Sequence, residues 1–169
     1  MRRGRWILLS LLLMVGGGAI AFHSAWLFSL PAQGQVAGSA EAGSLGPFFA
    51  VDGLALRGYD PVAYFIDGKP VKGSPEYEWE WGGVTWRFAT ADNRERFRNN
   101  PERFAPQYGG FCAWAVAHNY LYPVDPFAWK IVDDKLYLNA NRRVQRNWER
   151  DIPGLIQKAD ANWPGLRSR

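Results

Sequence analysis

The sequence predicts a small single domain of the α+β class that follows an N-terminal hydrophobic leader. Two segments, residues 76–88 and 128–138, have the alternating pattern and central turn signals of β-hairpins. Short stretches with helix-capping residues lie before, between and after these hairpins. Because strands and helices follow one another locally and no internal repeat occurs, we expect a mixed α+β fold.

The leader is predicted to occupy residues 1–30. Arginines precede a long apolar run, which is the arrangement of an export signal, and residues 19–21 form a small-x-small cleavage motif. The apolar character continues to residue 30, which is long enough for an uncleaved membrane anchor with its arginines on the cytoplasmic side. We therefore predict an exported protein, either periplasmic or anchored and facing the periplasm, and leave cleavage open.

The charge of the chain does not indicate a nucleic-acid partner. The 20 Lys and Arg residues exceed the 16 Asp and Glu residues, but three of the arginines lie in the leader. Without them the balance is 17 against 16. Nucleic-acid binding requires a basic stripe on the folded part, so we predict no nucleic-acid partner.

The remaining chain divides into a linker, one domain and a short tail. Residues 31–49 are rich in Gly, Ala, Ser and Pro and predict a flexible linker. Residues 50–164 are long enough for one domain with one core, and residues 165–169 are the predicted tail. The single cysteine excludes an internal disulfide framework.

The first half of the domain is predicted from its caps and its alternation. Asp60 followed by proline is typical of a helix N-cap and predicts one helical turn. Residues 76–81 alternate glutamate with aromatic residues, and residues 84–88 alternate in return after a Gly-Gly turn. We expect the aromatic side chains to face inward and the glutamates to face solvent or arginine.

The later helices are also predicted by their caps. Thr90 caps a helix over residues 91–99, and Pro101 begins a shorter helix. After the second hairpin, either Asn139 or Asn141 caps a helix that reaches residue 148. A final helix is predicted to begin at Asp151 and Pro153 and to end at Pro164.

Residues 108–119, YGGFCAWAVAHN, contain the side chains best suited to catalysis or metal binding. They include Cys112, the single cysteine, and His118, the one histidine outside the leader. If a helix begins at Gly110 or Phe111, Cys112 lies in its first turn, where free N–H groups and the helix dipole lower the pKa of a thiol. This position is the predicted centre of any thiol or soft-metal chemistry.

A catalytic role for this stretch is disfavoured. Cys112 and His118 form a Cys–His pair in principle, with Asp60 or Asp125 as the orienting carboxylate. Six residues on a continuous helix, however, place the two side chains on different faces. We therefore predict no catalytic residues and favour a protein that is not an enzyme.

Metal binding is left open by the residues themselves. Cysteine and histidine suit copper or zinc, but two ligands are too few for a closed tetrahedral site. Asp, Glu, Tyr or a second chain would have to complete it. The alternative is that Cys112 is a small core residue and that His118 is a hydrogen-bonded surface residue.

Several motifs together resemble the YHS domain. They are GYDPVAYF at residues 58–65, the strand at 84–88 and the segment 93–104. YGGFCAWA at residues 108–115 and the segment 148–164 are similar to an exported bacterial subgroup of that family. The resemblance covers about residues 56–164 and implies a YHS/TRASH-like fold.

The resemblance also bears on metal binding. The wider YHS and TRASH-like group is associated with heavy-metal handling, including copper transport. Its metal-binding members carry cysteines where this sequence has Ala63, Ala89 and Asn93. That ligand set therefore does not carry over to this chain.

The remaining candidate metal ligands are Cys112, His118, Asp60 and Tyr64, with copper or zinc as the ion. Two hypotheses follow for the exported protein. In the first, it binds or handles a transition metal through Cys112. In the second, it is an envelope interaction module without a metal, in which an aromatic surface contacts another envelope protein and Cys112 is a core residue. An exposed Cys112 with a low pKa beside His118 would favour the first.

Overall fold

The computed structural model describes residues 48–168. The predicted leader and nearly all of the predicted linker lie outside these residues. Within residues 48–168, no helix has the length and apolar character needed to cross a membrane.

The described part has the predicted α+β architecture. Its strands are β1 (Ala50–Val51), β2 (Leu54–Ala55), β3 (Ser74–Trp81), β4 (Val84–Phe88), β5 (Asp125–Val132) and β6 (Lys135–Asn139). Its α-helices are α1 (Ala63–Ile66), α2 (Ala91–Asn99), α3 (Pro101–Phe104), α4 (Ala113–Ala117), α5 (Arg142–Trp148) and α6 (Ile152–Arg167). Short 3-10 turns occupy Leu56–Gly58, Gln107–Gly110 and Glu149–Asp151.

The first sheet contains the first predicted hairpin. Its strand order is β1-β2-β4-β3, with β3 and β4 antiparallel and β2 and β4 parallel. Glu78 accepts a hydrogen bond of 2.7 Å from Arg87, as expected for a glutamate on the outer face. The prediction that all the aromatic residues face inward is wrong at Trp79, which is 39% exposed. Trp79 lies on the edge strand, where the Arg98 guanidinium covers its ring at 5.4 Å.

The second hairpin, β5–β6, lies between two hydrophobic clusters. Asp133 and Asp134 form its turn, with φ angles of 48° and 59°, which suit the twist of a two-residue hairpin connection. Because side chains alternate along a strand, Leu136 and Leu138 belong to one cluster and Tyr137 belongs to the other. The first cluster contains Trp86, Phe88, Phe97 and Cys112, and the second contains Tyr108, Trp148, Leu155 and Leu166.

The predicted caps are confirmed by hydrogen bonds. Thr90 accepts from the Asn93 N–H at 3.1 Å, and Asp151 accepts from the Gly154 N–H at 3.0 Å. Asn141 is the cap of α5, since its side chain accepts from the Val144 N–H at 3.0 Å. These caps occupy N–H groups that the helix itself leaves unpaired.

Both predicted domain boundaries need correction. Phe48 and Phe49 were assigned to the linker, but Phe49 is buried and Phe48 packs against the first cluster. Pro164 was predicted to end α6, but the helix continues to Arg167. Proline removes one helical hydrogen bond, whereas continuation buries Leu166 in the second cluster. The predicted tail therefore begins inside the folded domain.

Candidate functional site

Asp60 is fully buried, and its carboxylate accepts four hydrogen bonds. Oδ1 accepts from the N–H groups of Val62 at 2.8 Å and Ala63 at 3.3 Å. The predicted N-cap at Asp60 is wrong by two residues, because the cap of α1 is Val62 and the helix begins at Ala63. Oδ2 accepts from the Ala89 N–H at 2.8 Å and from Asn93 Nδ2 at 2.7 Å. Asp60 thereby joins α1 to the end of β4 and the start of α2. Each of its carboxylate oxygens accepts two hydrogen bonds from the protein.

The same contacts bring together Ala63, Ala89 and Asn93. These are the positions at which the resemblance led us to look for cysteines, and all three donate a hydrogen bond to Asp60. They are therefore neighbours in space, although Ala63 is far from Ala89 and Asn93 in the sequence. In this chain a buried carboxylate links the three positions.

Tyr64 is also buried, and its hydroxyl is hydrogen-bonded within the protein. Its hydroxyl donates to the Pro126 carbonyl at 3.0 Å, and its ring packs edge-on against Trp129 at 5.1 Å. Burial, with smaller contributions from nearby acidic groups, raises the pKa of Tyr64 well above its ordinary value. The side chain is thus a neutral phenol that joins α1 to β5.

Cys112 lies at the N-cap of α4, one position before the helix rather than in its first turn. The three residues Tyr108, Gly109 and Gly110 have φ angles of 54°, 59° and 80°. A left-handed backbone cannot continue into a right-handed helix, so α4 begins after this turn. The predicted helix start at Gly110 or Phe111 is therefore wrong by two or three residues.

The environment of Cys112 raises the pKa of its thiol, whereas the sequence predicted that the pKa is lowered. The side chain is 1% exposed, and its Sγ lies 3.8 Å from Asn139 Oδ1. Burial raises the pKa of the thiol, while hydrogen bonds from the backbone of Ala115, Ala140 and Trp114 lower it by less. Desolvation outweighs the local donors, so the native state favours the neutral thiol.

Asn139 was missed as a contributor to this site. The sequence offered it as an alternative helix cap, but it is fully buried at the end of β6. Its Oδ1 accepts from the Trp114 N–H at 3.3 Å and faces the Cys112 thiol. Its Nδ2 has no hydrogen-bond partner among residues 48–168. The sequence signal for this role is an asparagine at the end of a strand whose other residues are mostly apolar.

His118 lies at the opposite end of α4 from Cys112 and is exposed. Its ring stacks on Trp114 at 4.4 Å, and its Nδ1 lies 2.7 Å from the Trp114 carbonyl. Asp125, a candidate carboxylate for orienting His118 in a Cys–His pair, accepts a hydrogen bond from the Phe127 N–H at 2.9 Å. The structure thus places Cys112 and His118 at separate ends of one short helix.

The four predicted metal-site residues do not form one cluster. Among residues 48–168, no group of at least three His, Cys, Asp and Glu side chains has the geometry to hold a metal ion. Asp60 lies just before α1 and Tyr64 lies within it. Cys112 is buried beside Asn139, and His118 is on the surface.

Aromatic side chains that the sequence did not locate at the surface lie in three segments. We use the name aromatic surface for Tyr120 and Tyr122 in the loop after α4, Phe127 in β5 and Tyr59 before α1. Tyr120, Tyr122 and Phe127 are 46%, 52% and 48% exposed, and Tyr59 meets Phe127 edge-on at 5.7 Å. The loop backbone is held by two hydrogen bonds, from the Tyr120 N–H to Ala115 and from the Cys112 N–H to Tyr122.

An open groove of about 420 Å³ has Tyr59 and Phe127 of the aromatic surface in its lining. Tyr59, Phe127 and Pro126 form its apolar walls, and the cations Arg57 and Lys72 lie along it. Its volume is within the range of ligand-binding clefts in proteins.

The comparison with family models confirms the resemblance over part of the chain. The model of the YHS domain matches residues 62–108, from the residue before α1 to the left-handed turn before Cys112. A domain associated with metal handling is therefore present, and Cys112 and His118 lie beyond the matched span. No curated protein and no solved structure matches the chain.

Proposed function

We propose that this YHS-domain protein is an exported, non-catalytic interaction module of the cell envelope. Its aromatic surface contacts a partner protein, and Cys112 is a residue of the hydrophobic core. The observation that carries the proposal is the exposure of Tyr120 and Tyr122 on a loop whose backbone is hydrogen-bonded, together with the exposure of Phe127 in the strand that follows.

The chemistry of these side chains supports a protein interface. Tyrosine and phenylalanine are enriched at the buried centres of interfaces and supply large contact areas. Binding is weakened by the entropy lost when mobile groups become ordered. Because Val124 is buried and the backbone of Tyr120 and Tyr122 is hydrogen-bonded, less of that entropy is lost here.

The location in the envelope is supported by the sequence of residues 1–30, which lie outside the described residues. Their basic start and long apolar run are typical of export signals and anchors. An uncleaved segment would hold the domain close to the membrane and raise its effective concentration near membrane proteins.

A crosslinking experiment tests the proposal. We would incorporate a photoreactive phenylalanine analogue at Tyr122 in the full chain and irradiate cells that express it. The same analogue at Gln157, an exposed residue of α6, is the matched control. We expect one discrete adduct from position 122 that Phe127→Ala greatly reduces and that position 157 does not form. The same adducts from both positions, or none from position 122, would overturn the proposal.

A second candidate function is transition-metal handling through Cys112. It is favoured by one observation at this site: three backbone groups donate hydrogen bonds to the thiol and would stabilise its ionised form. Copper or zinc binding would require exposure of Cys112 and further ligands, for which His118, Asp60, Tyr64 or a second chain are the candidates.

Metal titration separates the two candidates. The full chain would be titrated with Cu(I) and with Zn²⁺, alongside Cys112→Ala and His118→Ala. Stoichiometric binding that is lost in Cys112→Ala would establish metal handling. An unchanged stoichiometry in Cys112→Ala, or no binding by either protein, would remove this candidate and leave the interaction module.

A further inference from the structure

We infer that the groove lined by Tyr59 and Phe127 of the aromatic surface binds an acidic peptide segment of the partner protein. A carboxylate of that segment lies between Arg57 and Lys72, and a neighbouring apolar side chain packs against Tyr59 and Phe127. This inference rests on the proposed function and specifies the chemistry of the partner.

The two cations are held at the groove with donors to spare. Lys72 Nζ donates to the Arg57 carbonyl at 2.6 Å and lies 4.6 Å from the centre of the Tyr59 ring. Arg57 donates through Nε to the Val124 carbonyl at 3.2 Å. Among residues 48–168, neither cation forms an ion pair with a carboxylate. Arginine and lysine have further N–H donors after these contacts, which suit a carboxylate ligand.

The backbone brings these two cations together. Leu56, Arg57 and Gly58 have φ angles of 50°, 54° and 74°. Left-handed non-glycine residues cost free energy and are retained where the surrounding structure imposes them. Leu56 is fully buried, and an antiparallel bridge pairs Tyr59 with Lys72. Arg57 and Lys72 are therefore positioned before any ligand arrives, which lowers the entropic cost of binding.

The local charge is complementary to an anion. Arg57 and Lys72 face one carboxylate in the groove lining, that of Asp125. One oxygen of Asp125 already accepts a hydrogen bond of 2.9 Å from the Phe127 N–H. The lining thus has an excess of positive charge, and that charge lies beside the aromatic walls.

The shape of the groove favours a peptide over a lipid headgroup. The groove is open and leads to Phe127 on the aromatic surface, so an extended chain can continue along it. Recognition of anionic membranes typically uses clusters of about four to eight cations, whereas this groove contains two. A peptide carboxylate with an adjacent apolar side chain matches both parts of the lining.

A peptide-binding assay tests the inference. The probe is a short fluorescent peptide with a glutamate on each side of a phenylalanine, and the matched probe has glutamine in place of both glutamates. Binding to the full chain in nonionic detergent is measured by anisotropy. We expect the acidic peptide to bind at least roughly tenfold more tightly, the factor that corresponds to one charge-assisted contact. Added salt should weaken it.

Variants locate the binding site. Lys72→Met and Arg57→Gln should each weaken the acidic peptide roughly tenfold. Lys158→Met and Arg143→Gln, at exposed cations on α6 and α5, are the matched controls and should leave its affinity unchanged. Lys72 is exposed, so its variant is expected to fold, and thermal unfolding of each variant checks this.

Equal affinity for the two peptides, no binding of either, or no effect of Lys72→Met in a folded protein would overturn the inference. Binding of phosphatidylglycerol vesicles that is lost in Lys72→Met, without peptide binding, would assign the groove to a membrane and also overturn it. The proposed function is judged separately by crosslinking at Tyr122. If the adduct forms and the acidic peptide does not bind, the proposed interaction module is retained and the inference of an acidic partner segment is rejected.

Discussion

Asp60 Oδ2 accepts a hydrogen bond of 2.7 Å from the side-chain amide of Asn93, which is 33 residues further along the chain. Together with the bond from the Ala89 N–H, this contact connects the GYDPVAYF motif to the helix after the first hairpin. Asp60, the third residue of the motif, lies just before the matched residues 62–108 and acts as a structural link to them.

Asp60→Asn should destabilise the domain by roughly 3 kcal/mol. Four donors converge on the carboxylate, and an amide presents one acceptor oxygen and an NH₂ group in its place. Buried donors that lose a charged acceptor carry a large free-energy cost. Chemical denaturation measures the change. Asp52→Asn, at an exposed turn residue with a φ angle of 53°, is the control and should change the stability little. Equal effects would contradict the structural role.

Cys112 should react slowly with thiol reagents in the native protein. Burial raises the pKa of its thiol, so the thiolate that reacts is scarce and the sulfur is covered. We expect the native rate to be on the order of a hundredfold below the rate in denaturant, as a local opening of about 3 kcal/mol would produce. A reagent that absorbs on reaction measures both rates.

The rate should stay low as the pH rises through the range in which a free thiol ionises. A native rate close to the denatured rate at neutral pH would show that Cys112 is accessible, and it would favour the metal-handling candidate.

Gly110→Ala should destabilise the domain more than Gly83→Ala. Both glycines have positive φ angles, 80° and 78°, so the backbone strain of the substitution is similar. A Cβ at Gly110 would lie 3.2 Å from Pro106 and 3.6 Å from Leu56, whereas a Cβ at Gly83 meets nothing within 4 Å. We expect a difference of about 1 kcal/mol from the added crowding, measured by urea denaturation. Equal losses would mean that the turn relaxes around the methyl group.

Stability should fall at alkaline pH through the buried tyrosines. Burial, with the charges of Asp160 and Asp133, raises the pKa of Tyr137 from 10.0 to about 12. Because the folded pKa is higher than the unfolded one, the contribution is complete below pH 10 and is lost as the pH rises towards 12. Unfolding free energies measured across this range should decline.

Tyr137→Phe should make that decline shallower, and Tyr120→Phe, at an exposed residue, should not change it. The pKa values of Tyr64 and Tyr108 are also raised, so some dependence should persist in either variant. A decline of the same slope in Tyr137→Phe would remove Tyr137 as a contributor.

Local chemistry explains why much of the fold is readable in the sequence. Thr90, Asn141 and Asp151 cap helix starts through N–H groups three residues away. Both hairpins are encoded by alternation around a turn, which also depends on near neighbours. These features need no knowledge of distant residues.

The errors fall where distant contacts outweigh a local preference. Pro164 is a helix-ending signal, yet α6 continues because Leu166 reaches the second cluster. The start of α4 favours a thiolate at Cys112, yet burial by the first cluster has the larger effect on its pKa. Asn139 resembled a cap and instead covers Cys112.

The aromatic surface and its groove also depend on contacts between residues that are distant in the sequence. Arg57 and Lys72 are separated by 15 residues and meet through the pairing of Tyr59 with Lys72. The sequence was enough to determine the α+β class, the caps, the hairpins and the family resemblance, because these depend on short-range patterns. The tertiary structure determined which side chains are sealed and which are exposed together, because burial and pKa depend on whatever the whole fold brings into contact.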